Sequence, residues 1–175
     1  MDYQSLIIET RPDIVSIATR AAGRSEIIQF AAENGVRGIH AEKPLSRNMA
    51  ECNAALEAVA RNNVKLSYGT TRRYMDAYRK AKEIVLSGEI GELVEIAIEH
   101  CRTLLMWDHP HSVDFLLFFS GCLDIEFVQA TCTINRHSVR PGLVDDDPVI
   151  DNAFVRFGNG VNGVITSISG LTTRI

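Results

Sequence analysis

Two short stretches of the chain carry side chains that can hold charge and move protons. In Gly38-Ile39-His40-Ala41-Glu42-Lys43-Pro44-Leu45-Ser46 an apolar run stops abruptly on an acid, a base and a proline. In Trp107-Asp108-His109-Pro110-His111 a carboxylate and two imidazoles crowd together just ahead of an apolar segment. A side-chain amine can steady a developing negative charge, and an imidazole can take or return a proton. Lys43 has the charge for the first task, and His111 has a nitrogen for the second. Each also has a plain reading, Lys43 as a surface lysine after a strand and His111 as a histidine behind a helix cap.

Local signals sharpen the second stretch. Asp108 reads as a helix N-cap with Pro110 in the first turn. The three-residue spacing brings Asp108 and His111 to one side of that turn. The positive end of the helix dipole favours a neutral, proton-accepting imidazole at position 111. A metal held by Asp108, His109 and His111 is disfavoured, because ligands so close in sequence at a helix start do not converge without a third partner elsewhere.

The elements that would position these residues alternate. Residues 14–18 read as a buried strand, 25–34 as a helix with Ser25 as its cap and Gly35 as its stop, and 36–42 as a second strand. Asn48 and Glu51 form a capping-box pattern, followed by apolar residues at helical spacing up to Asn62-Asn63. Residues 64–68 read as a third strand. Strands separated by helices of this length predict βαβ units and a parallel sheet with right-handed crossovers. Open sheets of that kind bind ligands beyond the carboxyl ends of their strands, where Lys43 falls.

Past a helix over 74–87 and the two-glycine turn in Ser87-Gly88-Glu89-Ile90-Gly91-Glu92, the chain becomes strand-rich, at 92–102, 125–134, 150–157 and 161–169. An apolar helix at 111–120 interrupts them, and Phe157-Gly158-Asn159-Gly160 predicts a hairpin turn between the last two strands. The expected architecture is α/β: a partial Rossmann-like parallel sheet over 1–72, then part of an α+β domain over 73–175 with a mostly antiparallel sheet. The acidic run Asp145-Asp146-Asp147-Pro148 reads as a solvated connection. A three-stranded parallel sheet leaves a long edge open, so either the chain is a piece of a longer protein or something else covers that edge.

Composition narrows the partners. The 175 residues are 46% hydrophobic with a net charge of −4, and Lys and Arg are dispersed, which argues against nucleic acid and an anionic membrane surface. No apolar run reaches the roughly 20 residues of a membrane helix. The opening segment, from Met1 to Asp13, lacks the basic stretch and long apolar run of a signal peptide. With no CxxC pair among the four cysteines, reduced thiols and a cytoplasmic location are expected.

Together these segments resemble the Gfo/Idh/MocA family, which comprises glucose–fructose oxidoreductase, inositol dehydrogenase and related dehydrogenases. The resemblance is carried, in the family's order, by DYQSLI, IVSIATR, EKPLSRNMAE, YGTTRRY, SGEIGEL, DHPHSVDFLLFFSG and VIDNAFVRFGNGVNG. It implies an oxidoreductase using NAD or NADP on a sugar, polyol or similar small hydroxy compound, working as a homodimer or higher homo-oligomer. It implies that the chain begins partway through the cofactor domain, past the glycine-rich turn that receives the pyrophosphate, and ends partway through the second domain. By resemblance Lys43 is catalytic beside the nicotinamide, with a cis bond to Pro44. His111 is the acid/base and Asp108 its support, the two facing Lys43 across one cleft.

Thr19, Arg20, Glu42, Lys43, Pro44 and Arg72 are the expected cofactor contacts. Arg24, in place of the family's more usual histidine, would contact the ribose or pyrophosphate or cap the helix after the first strand. His109 and Pro110 replace the small residues expected between Asp108 and His111, and Thr71 stands where asparagine is common. Arg73 reads as a solvated charge as readily as a cleft residue, and Asp114 as a structural hydrogen-bonding group. The competing reading is a non-catalytic remnant that acts as a binding or oligomerisation module.

Overall fold

The computed structural model describes residues 2–135, 137, 139–140, 143–144, 147–168 and 170. The chain divides into two compact units, Met1–Thr70 and Thr71–Ile175.

In the first unit, helix α1 (Tyr3–Thr10) precedes β1 (Ile14–Ile17), α2 (Arg24–Glu33), β2 (Gly38–Ala41), α3 (Met49–Arg61) and β3 (Lys65–Tyr68). The strands form a parallel sheet in the order β1-β2-β3, in register Ile14 to Gly38 to Lys65. Successive right-handed crossovers in one direction lay α2 and α3 on the same face of the sheet. Small side chains let them sit close: Ala31, Ala32, Ala55 and Ala58 are buried beside Ile28, Val59, Ile17 and Ile39. Ser25 Oγ donates to the Glu51 carbonyl at 2.6 Å and ties the two helices together. The Tyr3 ring meets Phe30 edge-on at 5.6 Å and pins α1 to α2.

Two helix starts differ from the sequence expectation. Helix α2 begins at Arg24, with Gly23 at the cap in a left-handed conformation at φ 76°, which glycine adopts without a Cβ penalty. Ser25, expected as the cap, lies inside the helix with its hydroxyl committed to α3. At α3, Asn48 accepts the Glu51 amide at 2.9 Å, the first half of a capping box. The reciprocal half is altered: the Glu51 carboxylate takes the Asn48 side-chain amide at 2.9 Å rather than its backbone N–H.

The second unit opens with a 3-10 turn (Thr71–Tyr74), then α4 (Asp76–Ser87), β4 (Glu95–Cys101), α5 (His109–Ser120), β5 (Ile125–Thr133), the short β6 (Val139–Arg140) and β7 (Leu143–Val144), β8 (Val149–Phe157) and β9 (Asn162–Ile168). The main sheet has the order β4-β9-β8-β5; β8 is antiparallel to both neighbours and β4 runs parallel to β9. The β8–β9 hairpin turns where the glycines lie, with Gly160 at φ 86°. The β6–β7 hairpin was not foreseen, being two residues a side with no alternation to read.

Helix α5 covers one face of this sheet. Leu116 is buried with Ile150, Ala153, Val155, Phe157, Val161 and Ile165. Gly163 makes room for it, since a Cβ there would stand 3.0 Å from the Leu116 side chain. The Arg73 guanidinium clamps the Asp114 carboxylate of α5 with Nε at 2.9 Å and Nη2, so Arg73 is an ion-pair partner rather than a solvated charge. Asp147 is also not a solvated linker, because its carboxylate accepts the Met106 amide at 2.7 Å. Asp145 and Asp146 lie outside the described residues.

Candidate functional site

The carboxyl ends of the three parallel strands converge on the Glu42-Lys43-Pro44 corner. The ladder persists to its last groups: the Glu42 amide donates to the Ile17 carbonyl at 3.0 Å, and the Gly69 amide to the Ala41 carbonyl at 2.9 Å. Gly69 follows β3 and presses on this corner, so a Cβ there would lie 3.1 Å from Glu42 Cα and 3.3 Å from the Lys43 nitrogen. The Lys43-Pro44 peptide is cis. The Glu42 carboxylate turns back to accept the Lys43 N–H at 2.8 Å. Lys43, Glu42 and Pro44 are half-buried, while Thr19 and Arg20 at the end of β1 are exposed.

Arg24 organises this corner from beneath. It is 2% exposed. Its Nη1 donates to the Glu42 carbonyl at 2.6 Å and to the Pro44 carbonyl, and its Nη2 donates to the Thr19 carbonyl. Burial pulls its pKa down, and the nearby Glu42 carboxylate and Tyr68 oppose that. So buried a side chain does not reach a bound molecule, which corrects the expectation of a ribose or pyrophosphate contact. The helix is capped by Gly23, not by Arg24. The visible signal was an arginine at the first position of a helix behind a strand end, but its burial was not.

In the second unit, Asp108 stands at the start of α5 but does not cap it with its side chain. Its φ and ψ are −113° and −38°, already helical, and its carboxylate accepts the Thr103 hydroxyl at 3.0 Å. The His111 amide donates to the Asp108 carbonyl at 3.1 Å, so the two share the first turn as expected. Between them His109 is fully buried. Its Nδ1 lies 3.2 Å from Ser112 Oγ, and its ring is 5.3 Å from that of His100. Its Nε2 has no hydrogen-bond partner among the described residues. Burial lowers the His109 pKa, His100 lowers it further, and Asp108 opposes both. His111 and Asp108 are half-buried, and Arg72 is half-buried in the 3-10 turn that opens this unit. Among the described residues, no group of three or more His, Cys, Asp or Glu is placed to hold a metal ion. No helix among them is long and apolar enough to cross a membrane.

Residues 1–70 match the sequence profile of the GFO_IDH_MocA family, described as an oxidoreductase family with an NAD-binding Rossmann fold. A Bacillus subtilis protein named uncharacterized oxidoreductase YrbE is 29% identical across 94% of this chain and 51% of its own length. The scyllo-inositol 2-dehydrogenase (NAD(+)) of Bacillus subtilis is 40% identical over 80 residues, 46% of this chain and 23% of that protein. A crystal structure of scyllo-inositol dehydrogenase from Lactobacillus casei, with NAD(H) and scyllo-inositol bound, superposes with a TM-score of 0.77 at 19% identity. That superposition covers 97% of this chain and 54% of the Lactobacillus protein, and it shows a shared fold. The chain thus spans about half the length of the relatives it matches from end to end. The first unit thus matches the Gfo/Idh/MocA oxidoreductase family over residues 1–70, and similarity to an oxidoreductase-named relative runs along nearly the whole chain.

Proposed function

We propose that the protein is an NAD(P)-dependent dehydrogenase that moves a hydride between a nicotinamide cofactor and a sugar or polyol, with a cyclic polyol as the favoured class. The observation that carries this reading is Lys43, half-buried at the carboxyl end of the central parallel strand, in the segment that matches an NAD-binding oxidoreductase family. The inositol dehydrogenases among the relatives support the choice of polyol.

The residues at this corner suit the nicotinamide end of such a cofactor. Three strand ends converge, two exposed loop residues, Thr19 and Arg20, stand beside them, and Gly69 keeps the floor open to close backbone approach. NAD or NADP, when bound, would accept or supply the hydride. Lys43 would stabilise negative charge developing on the substrate oxygen, in the manner of preorganised electrostatic catalysis. His111 would take or return the hydroxyl proton, and Asp108 would support it. Glu42, Pro44, Thr19, Arg20 and Arg72 are assigned to holding the cofactor.

Turnover of inositols with NAD and NADP tests this assignment. Lys43→Ala and His111→Ala should each lower turnover by ~10²–10⁴. Near-normal turnover in both variants would remove these two residues from the mechanism. Titration with NADH and NADPH tests the cofactor separately, and a chain that binds neither would instead be a binding or oligomerisation module.

A further inference from the structure

We propose that Arg24 is a positioning residue for Lys43: its buried guanidinium grips the backbone on both sides of the lysine and so fixes where the amine can reach. The functional half of this inference rests on the dehydrogenase reading above; the structural half does not.

The reasoning starts from what the guanidinium touches. Its acceptors are three main-chain carbonyls, those of Thr19, Glu42 and Pro44. Two of them flank Lys43, one on each side, and the third closes the loop after β1. These carbonyls lie just past the last paired residues of the parallel ladder, Ile17 and Ala41. A planar fork with five N–H donors can serve several carbonyls at once, whereas an ammonium acts as a compact point charge on a flexible stem. Glu42 completes the hold by accepting the Lys43 N–H through its carboxylate. The lysine thus has its own amide and both neighbouring carbonyls fixed by side chains, and Gly69 presses on the same backbone from β3.

Because Arg24 is 2% exposed, it acts on a reaction through the backbone it holds, which carries Lys43 between two of its three acceptors. A reacting group displaced by about 1 Å can lose about 10²-fold in rate, so a residue of this kind shows its effect in turnover more than in binding.

The test uses the whole chain with Arg24→Lys, which keeps the charge, and Arg24→Met, which keeps most of the length. Residue-resolved amide hydrogen exchange reads the hold directly. Faster exchange confined to the amides of Glu42 and Lys43, with β4, β8 and β9 unchanged, supports it in both variants. Exchange at those two amides equal to wild type would overturn the proposal. Equal acceleration across all of β1, β2 and β3 would also overturn it, because Arg24 would then be an ordinary core residue. Steady-state kinetics reads the consequence: kcat should fall about 10²-fold while the polyol KM stays near wild type. A rise in KM with kcat unchanged would refute the positioning role. If the wild-type chain turns over no polyol with either cofactor, the dehydrogenase reading fails, and the exchange result still decides whether Arg24 holds the corner.

Discussion

At the scale of single residues, His109 carries a proton-linked cost. It is fully buried, its ring faces His100, and it begins a helix whose dipole disfavours a cation there. Its pKa is held below the ordinary 6.5, first by burial and then by His100, with Asp108 pulling the other way. In the unfolded chain His109 would gain a proton as the pH falls through about 6.5, while the folded chain resists it. The unfolded state then binds more protons, so folding stability drops as the pH falls below that point and levels off once the folded imidazole titrates. Urea denaturation at pH ~7.5 and ~5.5 should show this loss, and His109→Asn should flatten the slope. A slope unchanged by the substitution would mean that other groups carry the dependence. The carboxylates of Asp2 and Asp151 are also shifted, but downward from 3.8, so their window lies well below this one.

At the scale of elements, the helix starts show what local sequence can and cannot specify. The Asn48 pattern is self-contained: acceptor, donor and spacing all lie within one turn, and the half of the box in which Asn48 accepts the Glu51 amide forms as read. Asn48→Ala should therefore cost about 1 kcal/mol, measured as a shift of the denaturation midpoint with no change in slope. A loss near zero would mean that Glu51 and Arg47 hold that turn without it.

Ser25 and Asp108 carry equally good cap signals, yet Ser25 lies inside its helix and Asp108 holds the cap position without a side-chain cap bond. Ser25 is diverted by α3, whose Glu51 carbonyl lies in reach, and Asp108 by the Thr103 hydroxyl from the preceding loop. Both rival partners are distant or non-helical in sequence, so no local pattern announces them. The same reasoning explains the candidate site. The places of Lys43 and His111, at a strand end and in a first helical turn, were legible because such places leave short motifs, whereas their roles came from the family resemblance alone. Arg24 was visible as a residue but not as a clamp, since its three acceptors are backbone atoms up to 20 positions away. The parallel order of β1, β2 and β3 followed from alternation, whereas the parallel pairing of β4 with β9 joins strands far apart in sequence and needed the structure.

At the scale of the whole molecule, each unit keeps its own buried cluster, one around Ile28 and Ile39 and the other around Leu116 and Phe157. The second cluster is unevenly covered. Helix α5 shields the middle of the sheet, but β5 is exposed along its entire length, with Ile125, Phe127 and Val128 at 43%, 50% and 58% exposure. Phe127 stacks on Phe154 at 5.7 Å and extends the apolar surface onto β8. An exposed edge strand with large apolar side chains invites pairing with another chain unless charge or a bulge blunts it. The register shift between Ile125 and Phe127 is one such device, yet it leaves residues 127–131 regularly paired on one side and open on the other. Self-association through this sheet is the expected outcome, as a dimer or a higher oligomer. Light scattering at micromolar concentration should give a mass above that of one chain, and Phe127→Glu with Val128→Lys should return it to the monomer while leaving the fold intact by circular dichroism. A monomeric mass for the unaltered chain would show that β5 tolerates water along its length. An oligomer that survives both substitutions would show that the contact surface lies elsewhere.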